Sequence, residues 1–370
     1  MNRLIFSFIS VFITAVTAVG PGTGNDLPPG GSAMHPEDQI DYVKRQLREK
    51  NEPYTTAFGQ LKQKADAAFG ISHHAIEDFS VPGFYQDKEN HRRLSLGLQV
   101  DAISAYSCAL VWKFTGKRKY ADKALYFLNA WASVNKTYSE MDGSLVMSYS
   151  GTALLFAANL LKDYKNWKPE ARQQFAVWTR EVFRDAANSI RFRNNNSGDW
   201  SRFASLLANV YLGDRADFAE NVRLIKSDLF DKIAPDGHMT EEVKREKNGI
   251  WYTYFSLAPL TASMWVIYNH TGENQFYLEK DGASVKKALD YLLYYNQNPG
   301  QWKYFKDPVT GSLQSRYGFW PANLLEAMSG VYNNPAYSGY TTSHRPLIYA
   351  EHDYAWVFPT LMPVSLKGYE

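Results

Sequence analysis

From Pro36 onward, apolar residues recur at three- and four-residue spacing in one segment after another, while strand-like alternation of apolar and polar residues is scarce. That pattern restricts the chain to packed helices. Asp38–Lys50 and Thr55–Phe69 read as short amphipathic helices. Ser95–Thr115 and Lys119–Val134 form a hairpin broken at Gly116-Lys117. Further pairs follow: Ser148–Asp163 with Pro169–Arg191, Trp200–Leu212 with Ala216–Ile233, and Trp251–Tyr268 with Ala283–Tyr295. Ser315–Tyr332 is the last helix, and the tail after it is less regular. Successive antiparallel helix hairpins over such a length predict an all-α fold, an (α/α) toroid or incomplete barrel. A two-domain α-solenoid is the alternative.

A hydrophobic content of 45% over 370 residues supplies a large core, so residues 36–370 are expected to form a single domain. Residues 1–18 read as a secretory signal: Asn2-Arg3, an apolar run from Leu4 to Val16, and small residues with Val16 and Ala18 placed for cleavage. The Gly/Pro-rich stretch 19–35 reads as a linker. No stretch after the leader looks long and apolar enough to span a bilayer. The expectation is a secreted monomer, extracellular or periplasmic, with no membrane partner. Cys108 is the only cysteine; no internal disulfide can form, and its helical apolar setting predicts inert packing. Asn135, Asn195 and Asn269 open glycosylation sequons, of which Asn195 is expected to be unused.

The net charge of +2 is too weak for nucleic-acid binding by bulk charge, and there is no basic tract. Aromatics are abundant, with 25 Tyr and 10 Trp. Core packing accounts for most of them, but flat rings also stack on sugar faces. Two stretches break the helical rhythm. Ile71–Arg93 carries Tyr85, His91 and Arg92, and Tyr295–Gln314 carries Trp302 and Tyr304. Irregular stretches rich in aromatics and cations are candidates for rimming a cleft.

The chemistry concentrates in two places. Arg193-Asn194-Asn195-Asn196-Ser197-Gly198-Asp199-Trp200 is a polar run, with Asp199 a candidate N-cap for the helix beginning at Trp200. Asn side chains donating two hydrogen bonds suit a carboxylate or enolate oxygen. The second stretch runs from Asp236-Gly237-His238 to Trp251-Tyr252. Thr240 reads as an N-cap with Glu241 and Glu242 in the first turn. A helix from there would set Arg245 and Tyr252 on one face, about 10 Å apart along the axis. A solvated charged helix with Tyr252 in the core is the plainer reading of this stretch alone. No metal-ligand spacing is evident, and neutralisation by Arg and Asn would make a metal or other cofactor unnecessary.

These residues resemble the alginate lyases of polysaccharide lyase family five, which carry Asn-Asn-His-Ser-Tyr-Trp and later Lys-Arg with a Tyr seven residues after the Arg. Here stand Asn194-Asn195-Asn196-Ser197-Gly198-Asp199-Trp200, then Lys244-Arg245 and Tyr252. Pro82-Gly83-Phe84-Tyr85 to His91-Arg92 is similar to the substrate-covering loop of this wider group. The resemblance covers roughly residues 60–300, and the sister family thirty-eight fits as well as five. It implies β-elimination on an acidic polysaccharide, a 1,4-linked polyuronate, with alginate ahead of glucuronan. Asn195 and Arg245 would neutralise the uronate carboxylate, and Tyr252 would serve as base and acid, its ionised form favoured by Arg245. Asn196, Trp200, Tyr85, His91, Arg92, Trp251, Trp302 and Tyr304 would contact substrate. The family's His falls at Asn196, which cannot take a proton. His238 is the leading replacement and His91 the second.

Two other readings compete. An (α/α)-barrel glycoside hydrolase would need two carboxylates across a cleft, with Asp199 and Glu241 or Glu242 as candidates. A non-catalytic glycan-binding protein would keep the aromatics but has no reason to align Asn195, Arg245 and Tyr252.

Overall fold

The computed structural model describes residues 33–139, 141–312 and 319–369. The leader, most of the 19–35 stretch and the start of the helix expected from Ser315 lie outside these residues.

Lys88–Thr115 and Arg118–Val134 form the first long hairpin, turned at Gly116, whose φ of 65° closes the first helix in the left-handed region. Asn196–Leu212 and Arg215–Lys232 repeat the device through Gly213 at φ 71°. The outer helix Arg118–Val134 buries Tyr120, Ala124, Phe127, Leu128 and Trp131 on one side. By contrast, the inner helices Thr152–Leu160 and Gly249–Thr271 are buried on nearly every face. Lys88–Thr115 packs against Thr152–Leu160 as well as its hairpin partner, and Asn196–Leu212 packs against Gly249–Thr271 and Arg215–Lys232. The architecture is an (α/α) toroid, as the helical periodicity predicts. Only two minute sheets are present among the described residues: Asp78–Ser80 parallel to Thr137–Ser139, and Glu279–Lys280 with Ala283–Ser284.

Several boundaries differ from those expected. The long helix begins at Lys88, capped by the Asp87 side chain on the Asn90 amide, so His91 and Arg92 sit in its first turns rather than in a loop. This helix is long and apolar enough to cross a bilayer by length and composition, but 67% of that window is buried inside the protein; it is a core helix. Residues 33–35 belong to the domain and not to a linker. Trp265 Nε1 donates to Met34 O at 3.0 Å, Asn269 Nδ2 to Ala33 O at 2.9 Å, and His35 lies buried against Tyr106. Cys108 is buried as expected, and burial pushes its thiol up to about 12. Asn135 is also buried, its Nδ2 donating to three backbone carbonyls, so this sequon is structural.

Candidate active site

The inner helices converge on a cavity of about 1750 Å³. One wall is the N-terminus of the helix Asn196–Leu212. Its cap is Asn195, whose Oδ1 accepts from the Ser197 amide at 3.0 Å, and not Asp199. Asp199 instead lies buried inside the first turn, accepting from Lys232 Nζ and Ser256 Oγ. Gly198 lets the chain fold tightly here: a Cβ on it would meet Arg193 O at 1.9 Å. The turn thereby brings Arg193, Asn195, Asn196 and Ser197 to the cavity.

The stretch expected as one helix from Thr240 is not one. Glu242 is drawn inward and buried, Val243–Asn248 forms a 3₁₀ turn, and Glu246 adopts φ 49°, ψ −107°, a strained conformation for a residue with a Cβ. Trp302 holds this turn, with Nε1 donating to Glu246 O at 3.1 Å and the ring packed so closely on Gly249 that a Cβ there would lie 2.5 Å from it. A regular helix then runs from Gly249. Arg245 and Tyr252 nonetheless meet, the guanidinium carbon lying 4.8 Å from the Tyr252 ring centre. The Tyr252 hydroxyl lies 2.8 Å from that of Tyr85.

A belt of rings lines the site. Phe84 lies edge-on to Tyr85 at 5.4 Å and to His91 at 5.3 Å. His91 takes a long 3.4 Å contact from the Tyr149 hydroxyl at Nε2, while its Nδ1 donates to Pro82 O at 2.9 Å. Tyr149 in turn faces Phe255 and His352, each at 5.7 Å. The charge is lopsided: Lys64, Lys88, Arg92, Arg93, Arg193 and Arg245 line the cavity against Glu89, Asp142 and Glu351. A polyanion is the ligand such a surplus attracts.

Eight nominated residues therefore share the cavity: Asn195, Asn196, Arg245, Tyr252, Tyr85, His91, Arg92 and Trp251. Four do not line it. Trp200 is fully buried one layer behind, 5.3 Å from Phe255. Trp302 is a core residue and Tyr304 packs on it at 4.9 Å. His238 sits in the Asp236 turn, its Nδ1 2.5 Å from Asp236, with Tyr291 and Tyr304 for neighbours. The carboxylates nominated for hydrolysis also lie off the cavity lining: Asp199 and Glu242 are buried behind it and Glu241 pairs with Lys244.

Tyr252 corrects one further expectation. Burial raises its pKa well above the usual phenol value, the Tyr85 hydrogen bond adds to this, and Arg245 opposes both without prevailing. Tyr252 thus holds its proton in the free protein. The sequence reading also missed His352 and Glu351. They arrive from the tail, which is pinned to the inner helices by Ser150 Oγ on His352 O and by Tyr354 N on Tyr149 O at 2.9 Å. Asp353 and Glu351 beside His352 outweigh its desolvation and raise its pKa.

A family model described as alginate lyase matches residues 38–302. A search of curated proteins finds no match. Among solved structures, an alginate lyase from Bacteroides ovatus shares 18% identity, with 87% of this chain and 98% of that one covered at a TM-score of 0.68. Alginate lyase A1-III from Sphingomonas species A1 shares 16%, with 92% and 98% covered at 0.71. A tyrosine-to-phenylalanine variant of A1-III complexed with tetrasaccharide shares 15%, with 93% and 99% covered at 0.71. Fold and family together define a polysaccharide lyase built on an (α/α) toroid. The chain belongs to the alginate lyase family.

Proposed function

We propose that the protein cleaves a 1,4-linked polyuronate by β-elimination, with polymannuronate the first substrate and glucuronan the second. The observation that carries this is the meeting of Asn195, Arg245 and Tyr252 at one cation-rich cavity, although they come from two different segments. Asn195 Nδ2 and the Arg245 guanidinium neutralise the substrate carboxylate. This stabilises the enolate that forms as the C5 proton leaves. Tyr252 takes that proton, the C5–H electrons become the C4–C5 double bond, and the C4–O4 bond breaks with its electrons going to O4. The same phenol then protonates O4.

A single residue can do both only where the C5 hydrogen and O4 share a face, as they do in β-linked mannuronate and glucuronate. Tyr85, 69% exposed, joins the Tyr252 hydroxyl to solvent and gives its proton a route out. His91 serves as a post for the Pro82 loop, with one ring nitrogen on Pro82 O and the other facing Tyr149. The apolar leader at residues 1–18 supports export to where such polymers occur.

The test is incubation with polymannuronate, polyguluronate and polyglucuronate, following the ultraviolet absorbance of the unsaturated product. A rise on polymannuronate is expected; release of reducing ends without absorbance would mean hydrolysis. Tyr252→Phe should abolish turnover in a folded protein. Retention of more than a tenth of wild-type activity, a barrier change under about 1.4 kcal/mol, overturns the assignment of Tyr252.

A further inference from the structure

Behind the cavity wall lies a buried carboxylate that the elimination itself does not use. Glu242 is 1% exposed. Its Oε1 accepts from the Asn196 backbone amide at 2.7 Å and its Oε2 from Asn196 Nδ2 at 2.8 Å. The Asn196 amide belongs to the first turn of a helix, where it has no partner within the helix. On the other side, the Glu242 carbonyl accepts from the Arg245 amide at 3.0 Å. No cation lies within ion-pair distance of the Glu242 carboxylate among the described residues.

We propose that Glu242 is a positioning residue for the elimination, clamping Asn196 to the turn that carries Arg245 so that Asn195 and Arg245 keep one spacing across the cavity. This rests on the lyase reading above. It accounts for Asn196: one amide hydrogen is committed inward to Glu242, so this residue supports the turn from the cavity wall.

A buried carboxylate with two amide donors and no counter-ion is a costly way to join two segments. Sites that break such a rule are expected where function requires it. The charged and titratable groups around it are Asp199, on the same helix as Asn196 and held by Lys232 of the outer helix, Arg245 on its own turn, and Tyr252 on the next helix. Burial is the main influence and raises the carboxyl, the Asn196 hydrogen bonds and Arg245 lower it, Asp199 raises it, and the balance stands at about 7. As the Asn196 side chain stands it presents only donors to Glu242, so a protonated Glu242 keeps its second bond only once the Asn196 amide turns over. Protonation loosens the clamp, and small displacements of catalytic groups cost large factors in rate.

The experiment is kcat and KM against pH on polymannuronate for the wild type, Glu242→Gln and Glu242→Ala. Gln keeps both bonds if the Asn196 amide turns over, and it cannot titrate. The wild type should show an acid limb with its midpoint near pH 7. Glu242→Gln should stay within tenfold in kcat and lack that limb, and Glu242→Ala should lose at least a hundredfold in kcat with less than a threefold change in KM. An acid limb that persists in Glu242→Gln, or an Ala variant keeping a third of wild-type kcat, overturns the proposal. If Glu242→Ala does not fold, Asn196→Ala takes its place: a loss of at least fivefold in kcat is expected, and an unchanged kcat is the contrary result. The Asn196 backbone amide should titrate near pH 7 in the nuclear magnetic resonance spectrum of the wild type and not of Glu242→Gln. That readout needs no turnover. A wild type inactive on every polyuronate refutes the lyase reading while leaving the clamp measurable, and a flat amide shift refutes the clamp whatever the activity.

Discussion

Glu242→Gln should stabilise the protein, and increasingly so as pH rises. The carboxyl moves from an ordinary 4.5 to about 7 in the fold, chiefly through burial. The folded state therefore holds the proton more tightly than the unfolded chain. Stability from this group is fully present below pH 4.5 and is lost as pH rises through 7. At about 1.4 kcal/mol per pH unit, the loss amounts to about 3 kcal/mol. Glutamine has nearly the same shape and no charge to lose, so the stability difference between variant and wild type should widen by about 3 kcal/mol between pH 4.5 and 8. Any fixed difference from rearranged hydrogen bonds is independent of pH and drops out of that comparison.

Urea denaturation of both proteins at half-unit pH steps measures the difference directly. Other titrating groups act on both curves alike. A difference that stays flat within about 0.5 kcal/mol across this range would show that Glu242 does not feel the burial the structure gives it. A variant more stable yet less active at pH 8 would be the trade expected of a site residue.

Two further predictions separate support from substrate contact. Trp302→Ala should destabilise the fold by about 3–5 kcal/mol. Trp302→Phe keeps most of the packing on Gly249 and loses the bond to Glu246 O, so KM should stay within twofold; a tenfold rise in KM would restore Trp302 as a sugar contact. His238→Ala should leave kcat/KM within twofold, because the imidazole is tied to Asp236 away from the cavity; a hundredfold loss would make it the missing base.

The helical hairpins were legible because their periodicity is local and each connection carries its own turn residue, as at Gly116 and Gly213. The grouping of Asn195, Arg245 and Tyr252 came from the resemblance to family five, and they do share one cavity, although the helix assumed to join the last two does not exist. What bends that stretch is remote: Asn196, 46 residues before Glu242, and Trp302, 56 residues beyond Glu246. Local propensity carries no trace of either contact. Trp302 and Tyr304 were misplaced because an aromatic in an irregular stretch looks the same whether it faces sugar or core. His352 was missed since its segment has no periodicity to locate it, and only the tail's bonds to Ser150 and Tyr149 bring it to the cavity.

The hardest demand of the proposed elimination is that Tyr252 act as a base while the free protein favours its neutral phenol. Burial sets most of that preference, and the Tyr85 hydrogen bond and charge add to it. Arg245 works the other way, so the balance turns on groups that can be altered singly. Tyr85→Phe removes the Tyr85 contribution to holding the proton on and leaves burial, Glu242 and the guanidinium in place. The Tyr252 pKa should then fall. If the phenolate takes the C5 proton, kcat/KM rises with pH as Tyr252 ionises, and that rise should begin at lower pH in Tyr85→Phe than in the wild type. An unmoved or upward-shifted limb would mean that Tyr252 enters the reaction as the neutral acid alone. The C5 proton would then have to leave to another group lining the cavity, and His352, with its raised pKa and its place against Tyr149, would be the first to substitute.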